Sequence, residues 1–93
     1  TSPNVVGVLK GTNAGEAVAI TAHWDHFGTR APAPGEAADV DRINNGAYDN
    51  ASGCAAALTM AQALARAGQA PGRSIYVVFT TAEEAGLLGA EYF

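Results

Sequence analysis

Short apolar runs alternate along the chain with stretches rich in glycine and small polar residues. Asn4-Val-Val-Gly-Val-Leu9 and Ala17-Val-Ala-Ile-Thr-Ala22 are two such runs. Pro3 precedes the first and the turn formers of 10–15 separate the two, so both read as strands, and their short connection predicts a hairpin. From Gly28 to Asn45 the chain turns polar and irregular, with Pro32, Pro34 and Gly35 among small and acidic residues, and no regular element is expected. A loop of that length within a domain usually carries function or moves. Ala55, Leu58, Ala61, Gln62, Leu64 and Ala65 then recur close to helical spacing, with Arg66 in the last turn and Gly68 as a stop. The pattern predicts a helix near 51–67, capped at its start by Asn50 or Ser52.

The next run, Ile75-Tyr-Val-Val-Phe79, is continuous in apolarity, as in a strand buried on both faces. Strand, helix, strand in that order predicts a right-handed crossover unit of a parallel or mixed sheet. Residues 85–93 are expected to begin a second helix that the end of the chain cuts short. The fold class is therefore α/β, with a mixed, mostly parallel sheet flanked by helices.

Composition narrows this picture. At 93 residues there is room for one domain at most, with a thin core. Hydrophobic residues make up 48% and charged residues only 15%, a rich mixture for so small a surface-dominated body, and one that suits a piece of a larger α/β domain. The net charge of −4 arises from nine acids against five bases. Asp25, Glu36, Asp39, Asp41 and Asp49 all fall in or near the central loop. With no basic patch, nucleic acid is excluded as an expected partner. The single cysteine, Cys54, has no partner for an internal disulfide. No apolar stretch approaches the roughly 20 residues that span a bilayer. No signal-peptide pattern opens the chain either, which is uninformative for an internal segment.

The chemistry lies where the apolar runs end. Glu83 and Glu84 follow the last strand, and His23, Asp25 and Asp49 lie in similarly polar, glycine-rich surroundings upstream. Open α/β sheets bind ligands beyond the carboxyl ends of their strands, and an imidazole with several carboxylates is the ligand set of a hydrolytic zinc site. Each residue taken singly also has a plainer reading. Asp49 suits a helix cap, His23 and Asp25 a surface hydrogen bond, and Glu83 and Glu84 the first turn of the last helix, where the helix dipole favours acids. His26 reads as structural or as the support of a ligand. Two neighbouring acids at a bend can also aim in different directions, one at a metal and one at the attacking water, the division of labour hydrolysis needs.

Three strings decide among these readings. Ala22-His-Trp-Asp-His-Phe-Gly28, Asn45-Gly-Ala-Tyr-Asp-Asn-Ala-Ser-Gly53 and Phe79-Thr-Thr-Ala-Glu-Glu-Ala-Gly-Leu-Leu-Gly89 resemble, in order and content, the metal-site segments of the M28 family of zinc aminopeptidases and related peptidases. The resemblance runs through nearly all of the chain and implies the three-layer sandwich of the zinc exopeptidases, incomplete in this chain. It implies two Zn²⁺ per complete domain, with His23 on one, Glu84 on the other and Asp49 bridging them. Glu83 would be the general base, and Asp25 would hold His23 in its tautomer. It also implies a cis peptide between Asp49 and Asn50.

Two departures stand out. Tyr48 occupies a position where an acid is frequent in the family. The family's remaining aspartate and histidine ligands come from later in the chain than Phe93. Residues 1–93 are thus expected to be a partial catalytic domain carrying three of five protein ligands. The remainder of the domain would complete the site, and the isolated segment would bind zinc weakly and associate through unpaired sheet edges.

The resemblance implies a two-zinc exopeptidase, most often an aminopeptidase, acting on a peptide or protein substrate. A catalytically silent binding domain on the same fold and a single-zinc acyltransferase of the glutaminyl cyclase type are the alternatives. The resemblance leans towards a secreted, periplasmic or cell-surface setting, with no membrane segment in this chain.

Overall fold

The most apolar strand sits at the centre. In a computed structural model describing residues 1–93, with all side chains but that of Ala14, the first strands are β1 (Val5–Leu9) and β2 (Asn13–His23). Two short strands follow, β3 (Gly28–Thr29) and β4 (Ile43–Asn44), then helix α1 (Ser52–Arg66), strand β5 (Arg73–Thr80) and helix α2 (Leu88–Tyr92). The principal sheet has the order β1-β5-β2. Strand β5 runs antiparallel to β1 and parallel to β2. The sheet is mixed, as expected, but with one parallel and one antiparallel pair it is not mostly parallel.

The predicted hairpin does not form. Strands β1 and β2 run in opposite directions but straddle β5, which outcompetes either of them as a partner because its apolar run gains most from a central position. Residues 10–12 carry the chain across the start of β5. Two strand spacings amount to about 10 Å, well within the reach of these residues. Hydrogen bonds from Thr12 N to Pro71 O and from Asn13 N to Gly72 O, each 2.9 Å, tie the crossing down.

Successive residues of β5 serve opposite faces, and both faces are covered: Val77 is 5% exposed and Val78 fully buried. Val77 and Phe79 share an apolar cavity with Leu58 and Ala61 of α1, and the helix packs on β2 and β5. Val78 and Thr80 line a space on the other face with Leu87 and Phe93. Helix α1 matches the predicted span, and Asn50 Oδ1 accepts a hydrogen bond from Gly53 N at 3.0 Å, satisfying one of its first amides.

The second helix begins later than predicted. Ala82 and Leu87 adopt left-handed backbone conformations, φ 54° and 62°, so residues 81–87 form a turn and α2 starts at Leu88. Asn4 secures that turn by accepting from Thr81 N and donating to Gly89 O.

The 28–45 loop also departs from expectation by pairing β3 with β4. A charge clasp closes it. The Glu36 carboxylate accepts from Arg30, from Ala33 N at 2.8 Å and from Arg42 Nε at 3.3 Å. The Arg30 guanidinium foremost, with the Ala33 amide and Arg42, holds the Glu36 carboxyl well below the usual carboxylate range, at about 2. A depressed pKa means that the clasp stabilises the loop fully above the ordinary value of 4.5 and is lost as pH falls towards about 2. In an NMR titration of the purified protein the Ala33 amide shift is expected to move with a midpoint near the lower value, and in Glu36→Gln to lose that transition. A midpoint at the ordinary carboxylate pKa would mean the clasp does not form.

Candidate metal centre

The polar ends of β2 and β5 lie side by side, because His23 pairs with Thr80 in the parallel register. His23 therefore projects beside the turn that carries Glu83 and Glu84. Its side chain is only 10% exposed. Below it, Cys54 of α1 donates its thiol to the His23 carbonyl at 3.1 Å, and burial pushes the Cys54 pKa up, which keeps that donor protonated.

The third segment comes from a wide turn, Ala47–Ala51, closed by a hydrogen bond from Ala51 N to Gly46 O at 3.0 Å. Gly46 opens it at φ 63°, and a Cβ there would stand 3.0 Å from both Asp49 O and the His26 ring. Left-handed backbone and close approach together call for glycine at this position. The Asp49–Asn50 peptide within the turn is cis, as the resemblance implies.

His23 is oriented at both nitrogens. Nδ1 donates to the main-chain carbonyl of Asp25 at 3.1 Å, which leaves Nε2 directed at Asp49 Oδ1, 2.9 Å away, with Glu83 Oε2 at 3.7 Å. Carboxylate oxygens only accept, so what lies between Nε2 and Asp49 must be a proton or a metal ion. Burial pulls the His23 pKa down, but the Asp25 carbonyl, the Asp49 carboxylate and the charge of Glu83 together outweigh it and raise the value above 6.5. Two ligand atoms at about 2.1 Å on a tetrahedral ion stand about 3.4 Å apart, so Nε2 and Asp49 Oδ1, at a hydrogen-bond distance of 2.9 Å, would have to part slightly to share zinc.

Asp25 meets His23 through its main-chain oxygen rather than its carboxylate. Its carboxylate lies 3.7 Å from His23 Nδ1, while the main-chain oxygen makes the closer contact. The carboxylate instead accepts from Glu83 N at 3.1 Å and Glu84 N at 3.4 Å. One residue thus fixes the imidazole through its backbone and the two-acid turn through its side chain.

Glu84 meets His26, whose Nδ1 lies 2.8 Å from Glu84 Oε1. Ligand atoms of His23, Glu83 and Glu84 fall within 4.8 Å of one another, as do those of His26, Asp49 and Glu84. The five residues singled out in the sequence, His23, Asp25, Asp49, Glu83 and Glu84, therefore converge. The partner of His26 was not foreseen: the only signal is its place one residue after Asp25, and its contact lies 58 positions away.

No helix among the described residues is long and apolar enough to cross a membrane. The model of the family described as Peptidase family M28 matches residues 4–93. No solved structure matches the chain.

Proposed function

The chain belongs to peptidase family M28, and from that premise we propose that it carries the metal-binding heart of a co-catalytic two-zinc aminopeptidase. The observation that carries this reading is the convergence of His23, Asp49, Glu83 and Glu84 at one end of the sheet, with their ligand atoms in groups that lie within 4.8 Å of one another. His23, Asp49 and Glu84 would hold the ions, with Asp49 between the two positions. Bound zinc would polarise the scissile carbonyl and make water more acidic.

The chain's own residues do the rest. Glu83, with a side chain 34% exposed, takes the proton from the attacking water and returns it to the leaving amine. The hydrogen bond from Glu83 N to Asp25 keeps that carboxylate beside the ligands. The Asp25 carbonyl accepts the Nδ1 proton of His23, which would leave the lone pair of Nε2 for a metal ion.

The same reading has further protein completing the ligand set and the three-layer sandwich. Its physical support is exposure: Val5, Val6 and Val8 of β1 are 50%, 44% and 48% exposed. The surface of 6489 Å² compares with about 5,000 Å² for a compact chain of this size.

Metal analysis of the purified full-length protein is expected to give two zincs per chain. Hydrolysis of aminoacyl-anilides is expected to disappear with a chelator and return with zinc. Zinc-free, inactive protein would point to a silent domain, and one zinc with cyclisation of amino-terminal glutamine to the transferase.

A further inference from the structure

We infer that His26 is a positioning residue that sets the Glu84 carboxylate for metal binding. The inference rests on the zinc reading above and assigns a task to a histidine outside the ligand set. An ionised carboxylate only accepts, so at 2.8 Å His26 Nδ1 donates to Glu84 Oε1. With Oε1 engaged, Oε2 is the oxygen left for a cation. Both groups are largely shielded, at 22% and 15% exposure, so water competes weakly for this bond.

Consecutive residues grip Glu84 from two sides. The Asp25 carboxylate accepts from its main-chain amide, and His26 holds its side chain. The donor is itself fixed. The His26 ring packs against Phe27 with centroids 5.0 Å apart, and it backs onto Gly46, where even a Cβ would press on it at 3.0 Å. Gly46 opens the turn that presents Asp49. His26 therefore joins the Asp49 turn to the Glu84 turn, setting the distance between two proposed ligands of one ion. Carboxylate ligands depend on such outer hydrogen bonds, and losing one typically costs 10–100-fold in metal affinity.

The test compares His26→Phe, which keeps a ring and removes the donor, with His26→Asn, whose Nδ2 falls near the position of Nδ1. Zinc affinities of the full-length protein are measured by chelator competition. His26→Phe is expected to weaken one of the two sites by about 10–100-fold and leave the other unchanged, and His26→Asn to recover most of the loss. If His26→Phe does not fold, His26→Ala takes its place against the same Asn variant.

Wild-type affinity at both sites in the donor-free variant overturns the role of His26 alone. Equal weakening in the Asn and donor-free variants also overturns it, since it would make the ring itself a ligand or a packing element. Wild-type protein that takes up no zinc overturns the metal reading, and this one with it.

Discussion

Glu83→Gln in the full-length protein is expected to retain its zinc and to lose about 10²–10⁴-fold in kcat on an aminoacyl-anilide, with KM little changed. Glutamine keeps the shape of the side chain, and the backbone bond from residue 83 to the Asp25 carboxylate does not depend on it. What it removes is the capacity to accept a proton. The loss falls on kcat because proton transfer belongs to the transition state rather than to ground-state binding. The geometry makes the prediction sharp. Glu83 Oε2 is the more distant of the two carboxylate oxygens facing His23 Nε2, at 3.7 Å against 2.9 Å for Asp49, as suits a group acting on water beside the ligands. Loss of zinc from Glu83→Gln would instead make Glu83 a ligand and leave the base to be found elsewhere.

The five residues that the structure brings together were picked out by the three strings that resemble M28 metal-site segments, and three of them also sit at a break in the apolar pattern. His23 ends one run and Glu83 and Glu84 follow another, so the strands deliver them to one end of the sheet. Strand β5 was legible for the same reason: only a central strand tolerates Ile75 to Phe79 without a polar alternate face. Helix α1 announced itself by apolar periodicity and by Gly68 beyond its end.

What escaped depends on distant partners. The apolar runs of β1 and β2 read the same whether the two strands touch or straddle a third, and the strand that parts them lies about 60 residues beyond the start of β2. His26 meets Glu84 across 58 positions, and no local pattern encodes that contact. The late start of α2 follows from left-handed Ala82 and Leu87, residue types that rarely signal such a backbone. In the 28–45 loop, β3 and β4 are two residues each, too short for a period. That loop is closed by Glu36 drawing Arg30 and Arg42 together rather than by any apolar face.

Gly11→Val is expected to prevent stable folding, and Gly11→Ala to cost about 3 kcal/mol or more. Gly11 is the point at which the chain passes directly over the backbone of β5. A Cβ there would lie 2.3 Å from Arg73 C and 2.4 Å from Ser74 N. These are main-chain atoms of the central strand, so no side chain can rotate away to make room. Shifting the crossing outward would also break the bond from Gly11 N to Ser74 Oγ at 3.0 Å and strain those of Thr12 and Asn13 to the 71–72 turn. Against a total stability of about 5–15 kcal/mol for a typical domain, such a loss is a large fraction. The consequence would reach the site, because His23 stands beside Thr80 and the two-acid turn only while β2 stays paired with β5. Gly7 in β1 provides the control: a Cβ there meets nothing within 4 Å, and alanine in a strand is less costly than glycine. Urea unfolding of the two alanine variants of the full-length protein measures the difference. Equal midpoints for Gly7→Ala and Gly11→Ala would mean that the chain does not cross over β5 at this residue, and that β1 and β2 reach their places by another route.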